Sequence, residues 1–406
     1  MENGDSGSVR RAGIPQGITV VVAAFLPIIA IVAMFPAVPA LIAHFHDDPT
    51  ASWKVPAMVS APGLTIAIVA LFAGILVDRF GRRRLLLVST FFYGIFGALP
   101  FFLTSLDGLY ASRLLLGLSE AAILTTLNTL IGDYWDQDGR RNWLTLQGIA
   151  GPLLSSIVIF FAGSLVAWKW NAIFLIYLVG FPVCLAMWRW LYEPVQDNAA
   201  RAMLGIDEKG SLSAFPWREV IGIGLLTLFS STLYYVFIIN GGIVWEELGI
   251  TDPADIGRIT ALPSLFVVVG AAIFWALGKA GIGSRGQLFA FLATLGAGLA
   301  IIGLAPDWRW MIAGMAVQQT GAGMAIPTLI AWAQKNLPFE HRGRGMGVWT
   351  ACFFFGQFSS PLIVGGVRSV AGSMQGAFLT AGIAGVVISI AIFLLMPRQV
   401  AEAVEN

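Results

Sequence analysis

Twelve stretches of about 20 or more mostly apolar residues run through the sequence, and they limit what the chain can become. They lie near 16–43, 55–77, 85–104, 109–131, 143–166 and 170–192, then near 219–242, 256–278, 287–305, 310–333, 346–367 and 374–396. About 20 apolar residues in a helix cross the hydrocarbon of a bilayer. Inside lipid every backbone N–H and C=O needs an internal partner, which leaves only helices and closed barrels. Barrel strands alternate apolar and polar residues, whereas these runs are apolar on every face. The pattern predicts an all-α integral membrane protein with twelve transmembrane helices. Composition agrees: 57% of the 406 residues are apolar and 12% charged, with a mean hydropathy of +0.80. A soluble domain carries about 25% charged residues and could not hide so much apolar surface. A net charge of +1 and two cysteines exclude a nucleic-acid-binding protein and a disulfide scaffold. Cys184 and Cys352 lie in apolar runs and read as small buried residues.

Lysine and arginine set the expected orientation, because basic loops stay in the cytoplasm. With the N-terminus inside, seventeen of these residues fall in inner segments and five in outer ones (Lys54, Lys169, Arg258, Arg309 and Arg368). Both termini are therefore expected in the cytoplasm, in a multi-pass protein of the inner (cytoplasmic) membrane. The expected organisation is a tail over 1–15, a six-helix bundle over 16–192, a cytoplasmic linker over 193–217, a second bundle over 218–397 and a tail over 398–406. Tryptophans near span ends, such as Trp168, Trp170, Trp308 and Trp310, fit rings anchored at the interface.

The two halves repeat. A shift of 204 residues places Gly74 on Gly278, Gly94 on Gly298, Gly117 on Gly321, Gly139 on Gly343, Asn171 on Gln375 and Phe174 on Phe378. Four of the eleven glycines between 74 and 174 coincide, where composition alone gives about one. Parallel duplication of a six-span unit is the mark of transporters that rock two halves about a central site.

The loop after span 2 reads Gly74-Ile-Leu-Val-Asp78-Arg79-Phe80-Gly81-Arg82-Arg83-Arg84. It resembles the signature loop of the major facilitator superfamily, G-x-L-x-D-R-x-G-R-R. The resemblance implies two pseudo-symmetric six-helix bundles and secondary active transport. It also implies a conformational gate in which Asp78 and Arg82, with Gly74, Arg79, Gly81 and the acid at the inner end of span 4, Asp133, hold the halves together. In the second half Ile282 stands where Asp78 would fall, so any such lock is one-sided. Topogenic signalling alone would also place arginines in this loop.

Span 4 reads Arg113-Leu-Leu-Leu-Gly117-Leu-Ser-Glu120. It resembles the superfamily's R-x-x-x-G motif in the variant with a following Glu, as in Spinster-like and organic-anion members. Independently of family, an ionisable residue inside a span costs roughly 2.5–3.5 kcal/mol on insertion scales and so points to function. Seven residues put Arg113 and Glu120 on nearly one helix face, about 10.5 Å apart along the axis. Arginine keeps its charge, while a carboxyl in such a corridor is a group that a proton gradient can load and empty. An anion completing the charge of Arg113 gives symport; a cation competing with the proton at Glu120 gives antiport. A purely structural ion pair is the alternative. Span 1 is uncharged from Phe25 to Ala43, so a second acid there is missing.

Span 5 carries Gln147-Gly148-Ile-Ala-Gly151-Pro152 and span 11 carries Gly356-Gln357-Phe358-Ser359-Ser360-Pro361. Both resemble segments of exporters in the superfamily, although close helix packing would use the same residues. The resemblance further implies that spans 1, 4, 7 and 10 line the cavity. Its expected lining is Tyr234, Tyr235, Asn240, Gln318 and Gln319, joined by Asn128, Gln147 and Gln357; each amide has interhelical hydrogen bonding as its other role. Such a pocket fits an amphipathic or aromatic small organic solute. His44, His46, Asp47 and Asp48 read as a solvated surface, and no metal, cofactor or nucleophile–base motif is found. The expectation is a non-enzymatic, monomeric secondary transporter without cofactor, with a proton and a small organic solute as partners in a lipid bilayer. Proton-coupled efflux leads; proton-coupled uptake of an organic anion follows, and a non-transporting sensor of the same fold stands last.

Overall fold

The computed structural model describes residues 12–72, 79–194, 215–338 and 341–396. Spans 2 to 6 are Ala51–Ala70, Arg82–Phe102, Leu106–Tyr134, Gln137–Trp168 and Ala172–Trp190. Spans 7 to 12 are Trp217–Glu247, Pro253–Lys279, Ser284–Gly303, Trp308–Asn336, Arg342–Ala371 and Met374–Leu395. Together with span 1, eleven of the described helices are long and apolar enough to cross a membrane. The remaining one, Trp308–Asn336, has 29 residues, about 44 Å of helix, and is more polar because it carries Gln318 and Gln319.

Span 1 departs from a single uninterrupted run. It divides into Ile14–Ala23, Leu26–Val32 and Ala37–His44. Pro27, Pro36 and Pro39 cannot donate a backbone hydrogen bond, and each falls at the N-cap or in the first turn of a piece, where a helix has no partner for that donor. At the second break Met34 N turns to Ile31 O, 3.2 Å away. That frees Ala30 O, and the Tyr177 hydroxyl donates to it at 2.7 Å. Tyr93 in span 3 likewise donates to Leu26 O at 2.6 Å. Freed or exposed carbonyls at membrane depth are thus met by neighbouring spans.

Two bundles form, one from spans 1 to 6 and one from spans 7 to 12. They meet along two seams, span 2 against span 11 and span 5 against span 8, which the six-span repeat interchanges. Small residues allow the close approach. A Cβ on Gly63 would lie 2.8 Å from Phe354 O, and one on Gly163 would lie 2.1 Å from Pro253 O. A hydrogen bond also repeats at the 204-residue spacing. Asn171 Nδ2 donates to Phe101 O at 2.8 Å, and Gln375 Nε2 donates to Ala305 O at 2.7 Å. Each bond closes the far end of the third span of its half onto the start of the sixth.

Candidate functional site

Span 4 places both of its ionisable groups inside protein. Arg113 is 1% exposed and Glu120 2%. The Arg113 guanidinium lies 4.8 Å from the Phe174 ring centre and 4.6 Å from that of Tyr177, and its Nη2 is 3.6 Å from Met34 Sδ. Delocalised, weakly hydrated charge suits such π faces, and each desolvated contact is worth about 2 kcal/mol. Neither Arg113 Nε nor Nη1 has a hydrogen-bond partner among the described residues, and nor does Glu120 Oε1. No ion pair joins Arg113 to Glu120, because side chains lean toward the helix N-terminus and two turns separate the residues.

Between spans 2, 4 and 11 lies a cavity of about 610 Å³ lined by Ile66, Ala121, Thr125, Thr129, Trp349 and Phe354, among others. Thr129 is late in span 4 and Gly343, also in the lining, is early in span 11. The cavity therefore belongs to the half of the molecule nearer the face that carries Arg82, Arg83, Arg84 and Arg342, the basic face. On the opposite face spans 1 and 7 close together: a Cβ on Gly242 would lie 2.6 Å from Phe35 O.

The two tyrosines of span 7 join an aromatic wall. Tyr234 and Tyr235 pack edge to face with ring centres 5.0 Å apart; Phe353 lies 5.8 Å from Tyr235, and Trp349 stacks on Phe353 at 5.3 Å. Trp349 Nε1 is buried without a hydrogen-bond partner among the described residues. The wall's members on span 11 escaped the sequence reading, although Trp349 and Phe353 stand four apart and so share a helix face.

The amides are dispersed. Asn240 Nδ2 donates to Val236 O of its own helix at 3.1 Å. Gln318 is fully buried with both amide atoms unpartnered among the described residues, packed where span 9 crosses at Gly298. Gln319 is buried on the same span. Gln357 fills the seam against Gly63, and Gln147 Oε1 is buried without a partner among the described residues. The side chain of Asn128 lies outside the described residues, as do Gly74 and Asp78.

Residues 79–84 of this loop lead into span 3. Gly81 has a φ of 78°, a conformation that favours glycine, and it starts span 3. Arg82 is buried and its Nε meets Asp133 Oδ2 at 3.2 Å, while Arg79 is exposed. Glu193, which the sequence reading left inside the linker, closes the start of span 3: Oε1 accepts from Arg82 N at 2.7 Å and Oε2 from Arg83 N at 2.8 Å. Its position just past the last apolar residue of span 6 was the only signal. At the outer loop, His44 stacks on Trp170 with ring centres 3.9 Å apart. Among the described residues no group of three or more His, Cys, Asp or Glu side chains is placed to hold a metal ion.

Comparison with known proteins places this geometry. The profile of the Major Facilitator Superfamily matches residues 20–245 and 222–406. The chain is 25% identical over 410 residues to a probable galactarate/D-glucarate transporter of Bacillus subtilis (strain 168), covering 88% of this chain and 87% of that one. It is 26% identical over 408 residues to the enterobactin exporter EntS of Citrobacter koseri, covering 93% and 90%. Among solved structures, the inward-open xylose transporter XylE from E. coli superposes with a TM-score of 0.73 at 11% identity, covering 95% of this chain and 98% of that one.

Proposed function

Since the chain belongs to the Major Facilitator Superfamily and is a multi-pass membrane transporter rather than an enzyme, we propose that it exports a small amphipathic or aromatic organic solute in exchange for protons, with Glu120 as the proton site. One observation carries this reading. Glu120 is buried, lacks a hydrogen-bond partner at Oε1 among the described residues, and directly precedes Ala121, which lines a cavity together with Trp349 and Phe354; the rings of Phe353, Tyr235 and Tyr234 follow on from Trp349. The aromatic faces fit the solute, and a buried carboxyl on span 4 can exchange its proton as the halves rock. The closed seam at Phe35 and Gly242 together with the cavity on the basic side describes one end of an alternating-access cycle. In our reading the basic face is cytoplasmic, with both termini and the 193–217 linker on that side of the inner membrane and a single copy containing the whole pathway. Arg82, Asp133 and Gly81, with Gly74, Asp78 and Arg79, serve as the gate on that side. Gln147, Gln318, Gln319, Gln357, Asn128 and Asn240 serve as secondary polar contacts.

A second reading rests on Arg113. Its two donors without a partner among the described residues fit an organic anion taken up together with a proton, and the galactarate/D-glucarate transporter is among the similar proteins. Reconstituted protein in proteoliposomes separates the two. An imposed pH gradient and a panel of anionic, neutral and cationic aromatic solutes would show exchange for protons under the first reading and co-movement of anions under the second. Flux indifferent to the gradient would overturn both.

A further inference from the structure

Outside the transport path, spans 3 and 6 form a groove that runs from the basic face down the lipid-facing surface. Its upper part, about 880 Å³, is lined by Phe80, Arg83, Arg84, Trp188, Arg189 and Glu193, among others. Its lower part, about 520 Å³, is lined by Phe91, Phe92, Phe181, Cys184 and Leu185. Leu87, Val88 and Trp188 line both parts, so the two are continuous. We propose that this groove binds one anionic phospholipid, with the phosphate at Arg84 and Arg189 and an acyl chain along Phe91, Phe92 and Leu185.

Charge decides the headgroup. Three arginines face one carboxylate in the upper part, and that carboxylate is already engaged, since both oxygens of Glu193 accept from the backbone of Arg82 and Arg83. The Arg83 guanidinium is tied to span 6 through Leu191 O at 2.8 Å and Trp188 O at 2.9 Å. Arg84 and Arg189 are exposed, without an ion pair among the described residues; Arg189 lies over the Trp190 ring at 4.5 Å. Two uncommitted guanidiniums at the membrane edge recognise a phosphate.

Shape decides the rest. From Arg84 to Phe92 span 3 descends eight residues, about 12 Å, less than half of a hydrocarbon core of about 30 Å. The groove therefore stays within one leaflet. Below the arginines it is almost wholly apolar, and Leu185 and Trp188 stand 64% and 61% exposed. A soluble phosphate compound would leave that apolar channel unfilled, whereas a lipid fills both parts.

Native mass spectrometry of the full chain, delipidated in detergent and titrated with phosphatidylglycerol or with phosphatidylcholine of the same acyl chains, tests the assignment. Each arginine near an anionic group contributes about fivefold in affinity, so Arg84→Ala with Arg189→Ala should weaken phosphatidylglycerol binding about thirtyfold. Phosphatidylcholine, whose choline offsets the charge of its phosphate, should be weakened much less. Leu185→Trp, which keeps every charge and fills the channel, should weaken both lipids. Equal affinity of the wild type for the two lipids, or an unchanged phosphatidylglycerol affinity in either variant, overturns the proposal. Displacement of phosphatidylglycerol by equimolar glycerol phosphate also overturns it, in favour of a free phosphate compound.

Discussion

Arg113 and Glu120 share one face of span 4, both buried, yet the guanidinium rests between the rings of Phe174 and Tyr177 and does not pair with the carboxyl. The charge of Arg113 is thus held by fixed π faces and is not tied to the protonation of Glu120 by direct contact. Glu120→Gln keeps the volume and removes the titration. The expected outcome is loss of pH-gradient-driven flux, with solute affinity kept within about threefold, or ~0.65 kcal/mol. Gradient-driven flux in liposomes and equilibrium binding in detergent measure the two arms. Flux that still follows the gradient would remove Glu120 from the coupling role.

Arg113→Met separates packing from charge. Methionine is long enough to lie between the two rings and makes favourable sulfur–aromatic contacts there, and the change removes a desolvated charge without breaking an ion pair. The variant should unfold thermally at or above the temperature of the wild type. Under the uptake reading it should lose binding of organic anions altogether; under the export reading neutral aromatic solutes should still bind. A strongly destabilised variant would show that the guanidinium is needed to hold spans 1, 4 and 6 together.

Gly242 sets how closely spans 1 and 7 can meet on the face opposite the arginines. Valine there would put a Cβ 2.6 Å from Phe35 O, against backbone that cannot turn aside. Overpacking of this kind costs about 1–3 kcal/mol, and it acts only on the state in which this face is closed. Each 1.4 kcal/mol shifts the two-state ratio about tenfold toward the other state. Spin labels at the exposed positions Asp47 and Thr251 should report a longer distance in Gly242→Val than in the wild type. An unchanged distance distribution would mean that the seam does not open during the cycle.

The architecture was legible because the bilayer acts on every residue of a span: twelve apolar runs, the basic loops and the glycine offset all follow from one solvent. The buried position of Arg113 and Glu120 followed from the same logic, since charges inside spans must face protein. Partners were not legible. Nothing in span 4 shows that Phe174 and Tyr177, sixty residues on, embrace Arg113, because that contact depends on how span 6 packs. The kinks of span 1 were written in Pro27, Pro36 and Pro39, but a run of apolar residues reads as continuous until the freed carbonyl of Ala30 is traced to Tyr177. The amides carried two roles in the sequence. Asn240 bonds to its own helix and Gln357 fills a seam, uses that composition cannot distinguish from lining a cavity.

Glu193 and Glu247 perform the same task at opposite faces, which gives a prediction with its own control. Glu193 accepts from Arg82 N and Arg83 N at the start of span 3, and Glu247 accepts from Met374 N at 2.7 Å and Gln375 N at 2.9 Å at the start of span 12. First-turn amides lack helical partners, and a carboxylate there satisfies two of them while opposing the positive end of the helix dipole. Removing such a cap costs about 1–2 kcal/mol. Glu193→Ala should therefore raise amide hydrogen exchange at the start of span 3 about tenfold, which corresponds to ~1.4 kcal/mol of local opening. Exchange at Met374 and Gln375 should not move, and Glu247→Ala should produce the converse pattern. If Glu193→Ala left exchange at Arg82 and Arg83 unchanged, span 3 would owe its start to the left-handed turn at Gly81 and to the Arg83 bridge onto span 6 instead.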